Sequence, residues 1–182
     1  LGGDVAIAAG CGRARSLGAV VVAVMAGDGQ MHPDDLEAVL APVLDGRADY
    51  AKGNRFDHPE WERMPRQRFV AGRVLSRLTG FAVGLPGLRD SQSGYTAISR
   101  GALLAIDLDR LWPSYGYPND LLGLLCREGQ RCADVVIRPE LRGLPATNFQ
   151  QRHEAILEGE RAGFAAIARV RDAIAAWERK HN

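Results

Sequence analysis

AVVVAVMAGDGQMHPDD, residues Ala19–Asp35, is the stretch from which the fold is read. Seven residues, Ala19 to Met25, are apolar without a break and rich in Val. Such a run predicts a short strand buried on both faces, in the middle of a mostly parallel sheet. It leads directly into Gly27-Asp28-Gly29, a turn of small residues, and Pro33 then opens a helix, where its missing N–H costs nothing. Asp28 is thereby expected at the carboxyl end of a strand, the edge of an open α/β sheet where ligands bind.

Outward from this stretch, the pattern continues as an α/β chain. Leu36, Val39, Leu40, Val43 and Leu44 recur at helical spacing, with Asp34 and Asp35 in the first turn and Asp45-Gly46 as the stop. Asp49–Gly53 reads as a second strand, so strand, helix and strand form a βαβ-like unit. Upstream, a helix from about Val5 ends at Gly18. Downstream, Asn54–Pro65 reads as a mobile surface loop. Arg66–Thr79 reads as a helix with Val70, Val74 and Leu78 on one face and arginines around it. Gly80–Gly87 reads as a connector, Tyr95–Ser99 as a strand and Gly101–Ile106 as a short helix. Asp120–Glu128 follows as a Leu-rich helix, then Val135–Ile137 as a last strand. An amphipathic helix starts near Glu154 and carries Phe164, Ile167, Val170, Ile174 and Trp177. The expected organisation is one domain over 1–143, then a linker and helix over 144–182.

The chain has 182 residues and a net charge of +1, which predicts no general affinity for nucleic acid. Five arginines (Arg63, Arg66, Arg68, Arg73 and Arg77) nevertheless share one window. Three scattered cysteines without CxxC spacing argue against a zinc site and for a reducing compartment, the cytoplasm. No apolar run approaches the roughly 20 residues that span a bilayer. GxSxG, HExxH, GxxxxGK[ST] and GxGxxG are all missing, which sets aside the common hydrolase, zincin, P-loop and Rossmann readings.

Several segments carry candidate chemistry, each with a plainer alternative. Asp28 suits a hard cation, Mg²⁺ or Mn²⁺, which takes one or two carboxylates plus substrate phosphates; Gln30 adds a carbonyl or a ligand contact. The alternative for Asp28 is a turn or helix cap. Lys52 and Arg55 follow a strand on the same expected edge, Arg55 as a bidentate phosphate ligand and Lys52 as a point charge; the alternative is two solvated cations. In the arginine window a phosphate- or anionic-lipid-facing surface competes with an ordinary solvated face, and Arg68 is singled out for a phosphate role. Asp90, Ser91, Gln92, Ser93 and Gly94 gather an acid, two hydroxyls and an amide, suited to sugar hydroxyls or to a hydrogen-bonded turn. Gly94 suggests either a close backbone approach or a positive φ. Asp120, after Tyr-Gly-Tyr-Pro-Asn, is placed to accept a proton from an attacking hydroxyl, or to begin a helix.

VVVAVMAGDGQMHPDDL, YAKGNR, RDSQSGYTAISRGAL and YGYPNDLL occur in that order between about Val5 and Pro139. Together they resemble the family 2 glycosyltransferases with the GT-A fold, most nearly the dolichol- or polyprenyl-phosphate mannosyltransferase-like branch. The resemblance implies a three-layer αβα fold and transfer of a sugar, with inversion, from a nucleotide-diphosphate sugar. The implied acceptor is a lipid phosphate, which places the protein peripherally at the inner face of the membrane. It assigns Asp28 to the metal and, with Gln30, to the donor diphosphate; Ala26 stands where the motif has its first acid. By the same match Arg55 takes a phosphate role, Asp90–Gly94 line the sugar and acceptor side, and Asp120 is the base. The family's opening strand is expected before Leu1, so the chain reads as N-terminally incomplete. A non-catalytic sugar-nucleotide-binding relative and a nucleotidyltransferase on a related scaffold remain the alternatives.

Overall fold

The computed structural model describes residues 3–26, 31–112 and 116–138, together with Arg171, Asp172, Ala175 and Arg179. The expected boundary near residue 143 and nearly all of the expected C-terminal helix lie outside the described residues. So do Asp28 and Gln30.

Among the described residues, four strands form one sheet. These are β1 (Val21–Val24), β2 (Tyr50–Asn54), β3 (Thr96–Ser99) and β4 (Cys132–Val136), in the order β1-β3-β2-β4. Three of them point the same way, as expected. The exception, β3, is inserted between β1 and β2 and pairs antiparallel with both, whereas β2 and β4 pair in parallel. The Val-rich run does not take the central position expected of it: β1 is at one edge of the described sheet, and Val20 is exposed. The central place goes to β2, all five of whose residues are buried. Nor is β1 buried on both faces as the apolar run predicts: none of its four residues is fully buried and Ala23 is exposed, because among the described residues β1 has a neighbouring strand on one side only.

The two faces feed two cores. Tyr50 and Ile98 point to one face, against Leu103, Leu121, Leu122 and Leu125. Ala51 and Ala97 point to the other, against Val39 and Val43. The first face is covered by α1 (Gly3–Ser16), α4 (Arg100–Ala105) and α5 (Tyr117–Arg127), the second by α2 (Leu36–Leu44). This is the helix–sheet–helix α/β architecture the sequence predicts. The predicted stops hold as well. Gly18 and Gly46 take positive φ, 77° and 67°, and each closes a Schellman motif, with Ala19 N–H bonded to Ala14 O and Arg47 N–H to Pro42 O. All three cysteines are free thiols.

One expected loop is anchored instead. Pro59–Arg63 forms a 3₁₀ turn, Phe56 and Met64 are buried, and the Trp61 ring stacks 4.5 Å from that of Phe69. Phe69 belongs to α3 (Arg66–Ala82), which runs three residues beyond its expected end. The two prolines and the surrounding charges disguise three apolar anchors. In α5 the helix starts at Tyr117 rather than Asp120, because Pro118 is accommodated in the first turn.

Candidate functional site

The site is built outward from the carboxyl end of β2. Lys52 shares a sheet face with its cross-strand partners Thr96 and Asp134. It is 1% exposed, and its ammonium donates to the carbonyl of Ser93. Burial pushes its pKa down to about 8, against the pull of the Asp90 charge. Asp134 goes the other way: partial desolvation against the sheet raises it to about 6, although the residue is exposed and its carboxylate accepts the Arg89 N–H at 2.7 Å.

Two residues beyond β2's buried Gly53, Arg55 closes on Asp90. Its Nε and Nη2 donate to the two Asp90 oxygens at 2.7 and 3.1 Å, and its backbone N–H reaches Oδ2 at 3.2 Å. Asp90 is 0% exposed. Burial alone would raise its pKa, but the hydrogen bonds and charge of Arg55, helped by Lys52, outweigh burial and leave it lowered. Asp90 is thus an ionised carboxylate held by a fork that matches it. The same acid accepts the Gln92 N–H at 3.1 Å, which shapes the turn. Ser91 donates its N–H to Ser76 Oγ of α3 at 2.9 Å, and Gln92 Nε2 reaches Ser91 Oγ at 3.0 Å. Arg68 projects from α3 on the same side. Partial burial of its head, and then the charge of Arg55, lower its pKa. Lys52, Arg55 and Arg68 against Asp90 and Asp134 leave a positive balance, which favours an anion.

Gly94 marks where the second pair of segments meets. Its φ is not positive; the backbone is approached closely instead. A methyl there would stand 2.7 Å from the Tyr117 hydroxyl oxygen and 3.4 Å from Met31 Cε. Tyr117 donates that hydroxyl to the Gly94 carbonyl at 3.4 Å. Met31 in turn accepts the Ala26 N–H on its sulfur at 3.1 Å. Ala26 and Met31 are the residues on either side of Gly27–Gln30. Met31, with Ala26 bonded to it, and Tyr117 at the start of α5 therefore converge on the 90–94 turn at Gly94.

Asp120 lies in the first turn of α5, and its Oδ2 accepts the Trp112 N–H at 2.9 Å. Asn119 Oδ1 beside it is buried, with no hydrogen-bond partner among the described residues. No group of three His, Cys, Asp or Glu side chains among the described residues is close enough to share a metal ion. The described residues therefore do not fit a cation site by themselves.

Sequence reasoning passed over Asp134, Tyr117 and Ser76. A lone acid in the strand CADVV was the available signal for the first. A Tyr next to a Pro-punctuated turn was the signal for the second. Nothing local marks Ser76.

The chain is similar to a lipid-phosphate sugar transferase. Over 95 residues it is 37% identical to the UDP-N-acetylglucosamine–dolichyl-phosphate N-acetylglucosaminyltransferase of Methanococcus voltae, which is 52% of this chain and 38% of that one. Over 112 residues it is 33% identical to an uncharacterized protein of Methanocaldococcus jannaschii, 61% of this chain and 46% of that one. The matches thus span less than half the length of either relative. No protein-family model matches. The mixed α/β architecture is consistent with a GT-A-like glycosyltransferase domain. No helix among the described residues is long and apolar enough to cross a membrane.

Proposed function

We propose that this chain carries the donor and acceptor sides of a glycosyltransferase. The enzyme moves a sugar from a nucleotide-diphosphate sugar to a polyprenyl or dolichyl phosphate, with inversion. The observation that carries the reading is the convergence on Gly94. It gathers the Asp90 turn, the start of α5, and Met31 with Ala26 bonded to it, beside a positively charged strand end. Similarity to a dolichyl-phosphate sugar transferase supports the class.

In this reading an ionised acceptor oxygen attacks the anomeric carbon on the face opposite the nucleotide. The bond from that carbon to the diphosphate oxygen breaks, and the departing diphosphate takes the electron pair. Arg55 and Arg68 offset the charge that develops there. Lys52 acts from behind: it shapes the 90–94 turn through Ser93 and adds positive potential. Ser91, Gln92, Ser93 and Gly94 present the wall for the sugar and acceptor. A phosphate acceptor is already ionised, so Asp120 is needed to hold Trp112 more than to remove a proton. Asp28 and Gln30 face the donor diphosphate in this proposal, and Mg²⁺ or Mn²⁺ would be held at Asp28. Bound there, the ion would supply positive charge to the departing diphosphate. The mannosyl donor suggested by the sequence resemblance and the N-acetylglucosaminyl donor named for the Methanococcus relative are both candidates. The acceptor would put the protein at the cytoplasmic face of a membrane.

The test is incubation of the full chain with radiolabelled GDP-mannose or UDP-N-acetylglucosamine and dolichyl phosphate, followed by organic extraction. Label in the lipid phase is expected from one donor. Calorimetric binding of the sugar nucleotide without transfer would favour a non-catalytic relative. Pyrophosphate release from a nucleoside triphosphate would favour a nucleotidyltransferase.

A further inference from the structure

The helix α3 has two unlike faces. Its inner face is Phe69, Gly72, Ser76 and Gly80. Phe56 lies over Gly72, Ser76 bonds Ser91, and Gly80 meets the backbone of Leu85. Its outer face is Val70, Val74, Leu78 and Phe81. Phe81 is 89% exposed and the other three are each more than half exposed, with Leu75 exposed beside them. At 3.6 residues per turn, Val70, Phe81, Val74 and Leu78 fall within an arc of about 80°. Arg66, Arg73 and Arg77 border this arc on one side and Arg68 on the other. The helix contains no Asp or Glu. Of its arginines, Arg73 alone is ion-paired to a carboxylate among the described residues, Asp57 at 3.1 Å.

We propose that the outer face of α3 seats the protein on an anionic lipid surface, its apolar stripe in the acyl boundary and Arg66 and Arg77 on the headgroups. A contiguous stripe of this kind marks an interaction site. The charge pattern selects the occupant. A second copy meeting this face symmetrically would bring an all-arginine border against itself, with no carboxylate on the helix to answer it. Anionic headgroups answer every guanidinium, and a helix with an apolar face and a cationic border lies in the plane of such an interface. The proposal deepens the lipid-phosphate reading above. Ser76–Ser91 and Gly72–Phe56 join the inner face to the candidate site, so the site stands about one helix diameter, roughly 10 Å, from the bilayer. The binding itself requires no turnover.

The test is co-sedimentation of the full chain with vesicles of phosphatidylglycerol and phosphatidylcholine, and with phosphatidylcholine alone. Binding is expected to the first, to fall steeply at high salt, and to be weak to the second. The pair Leu78→Ser and Phe81→Ser should weaken it at least tenfold. The pair Arg66→Gln and Arg77→Gln should weaken it about twenty-five-fold, from a factor of about five per arginine near an anionic surface. These side chains are exposed, so circular dichroism and thermal midpoint should be unchanged and certify the fold. Wild-type protein left in the supernatant would overturn the proposal, as would equal binding by Leu78→Ser/Phe81→Ser. So would a dimer in solution that this pair dissociates. Calorimetry with sugar nucleotide in the absence of vesicles separates the two readings: membrane binding without nucleotide binding defeats only the glycosyltransferase, and the reverse defeats only the docking face.

Discussion

Replacing Arg55 by Met tests the centre of the site, because it keeps most of the apolar stem and removes the fork from Asp90. The carboxylate is then left fully buried, with Lys52 as the remaining cation that lowers its pKa. Breaking one side of a buried ion pair costs about 3–5 kcal/mol. The Arg55 side chain is 21% exposed and Lys52 remains, so the lower end, about 3 kcal/mol, is expected near pH 7. The pH dependence carries the sharper test. In the native protein Asp90 has a lowered pKa. Its contribution to stability is therefore present above the unfolded carboxylate value and lost as pH falls through the folded one. In Arg55→Met the hydrogen bonds are gone and burial dominates, so the folded pKa lies above the unfolded one. Protonation then relieves the folded state, and the deficit of the variant should shrink as pH falls from 7 toward 4. Urea unfolding followed by tryptophan fluorescence at several pH values reads this directly. A deficit below about 1 kcal/mol at pH 7 would refute the argument that the pair is buried and matched. A deficit independent of pH would do the same.

Asp134 offers a second titration. Its folded pKa, about 6, is above the usual carboxylate value, so the wild type should gain stability as pH falls from 7 to 5. Asp134→Asn keeps an acceptor for the Arg89 N–H and should flatten that part of a plot of thermal midpoint against pH. Gly94→Ala places a methyl 2.7 Å from the Tyr117 hydroxyl oxygen, and overpacking of this kind costs about 1–3 kcal/mol. Tyr117→Phe in the same chain should recover part of the loss in urea unfolding, since it removes that oxygen. For the proposed transfer, Asp28→Ala should abolish label in the lipid phase at saturating Mn²⁺, whereas Asp120→Asn should retain much of it. Near wild-type turnover by Asp28→Ala would remove Asp28 from the proposed role.

Much of the fold is legible in the chain because its elements advertise themselves locally. The 36-39-40-43-44 repeat specifies which face of α2 is buried, and Gly18 and Gly46 stop helices where only a positive φ continues the path. Strand order is less legible. The insertion of antiparallel β3 between β1 and β2 is a long-range choice that no period of the sequence encodes. The same limit applies to α3. Val70, Val74 and Leu78 form the apolar face that sequence reading finds, yet the protein packs the other face, where Gly72, Ser76 and Gly80 let the backbone come close. Small residues carry little hydrophobic signal, so pattern alone favours the wrong side of that helix. The candidate site divides in the same way. Arg55, Asp90 and Gly94 are visible as residue types suited to anions and turns, but Arg55 meets Asp90 across 35 positions and Gly94 meets Tyr117 across 23. Lys52 and Asp134 become interpretable only through the register of β2 and β4, which sets the buried Lys52 beside the more exposed Asp134. A Lys in a strand normally reads as a surface cation. Here the strand is central and all five of its residues are buried, so the ammonium must be answered from within the fold, and Ser93, Asp90 and Asp134 answer it. That obligation ties the strand end to the 90–94 turn and so joins the two segments proposed to face donor and acceptor.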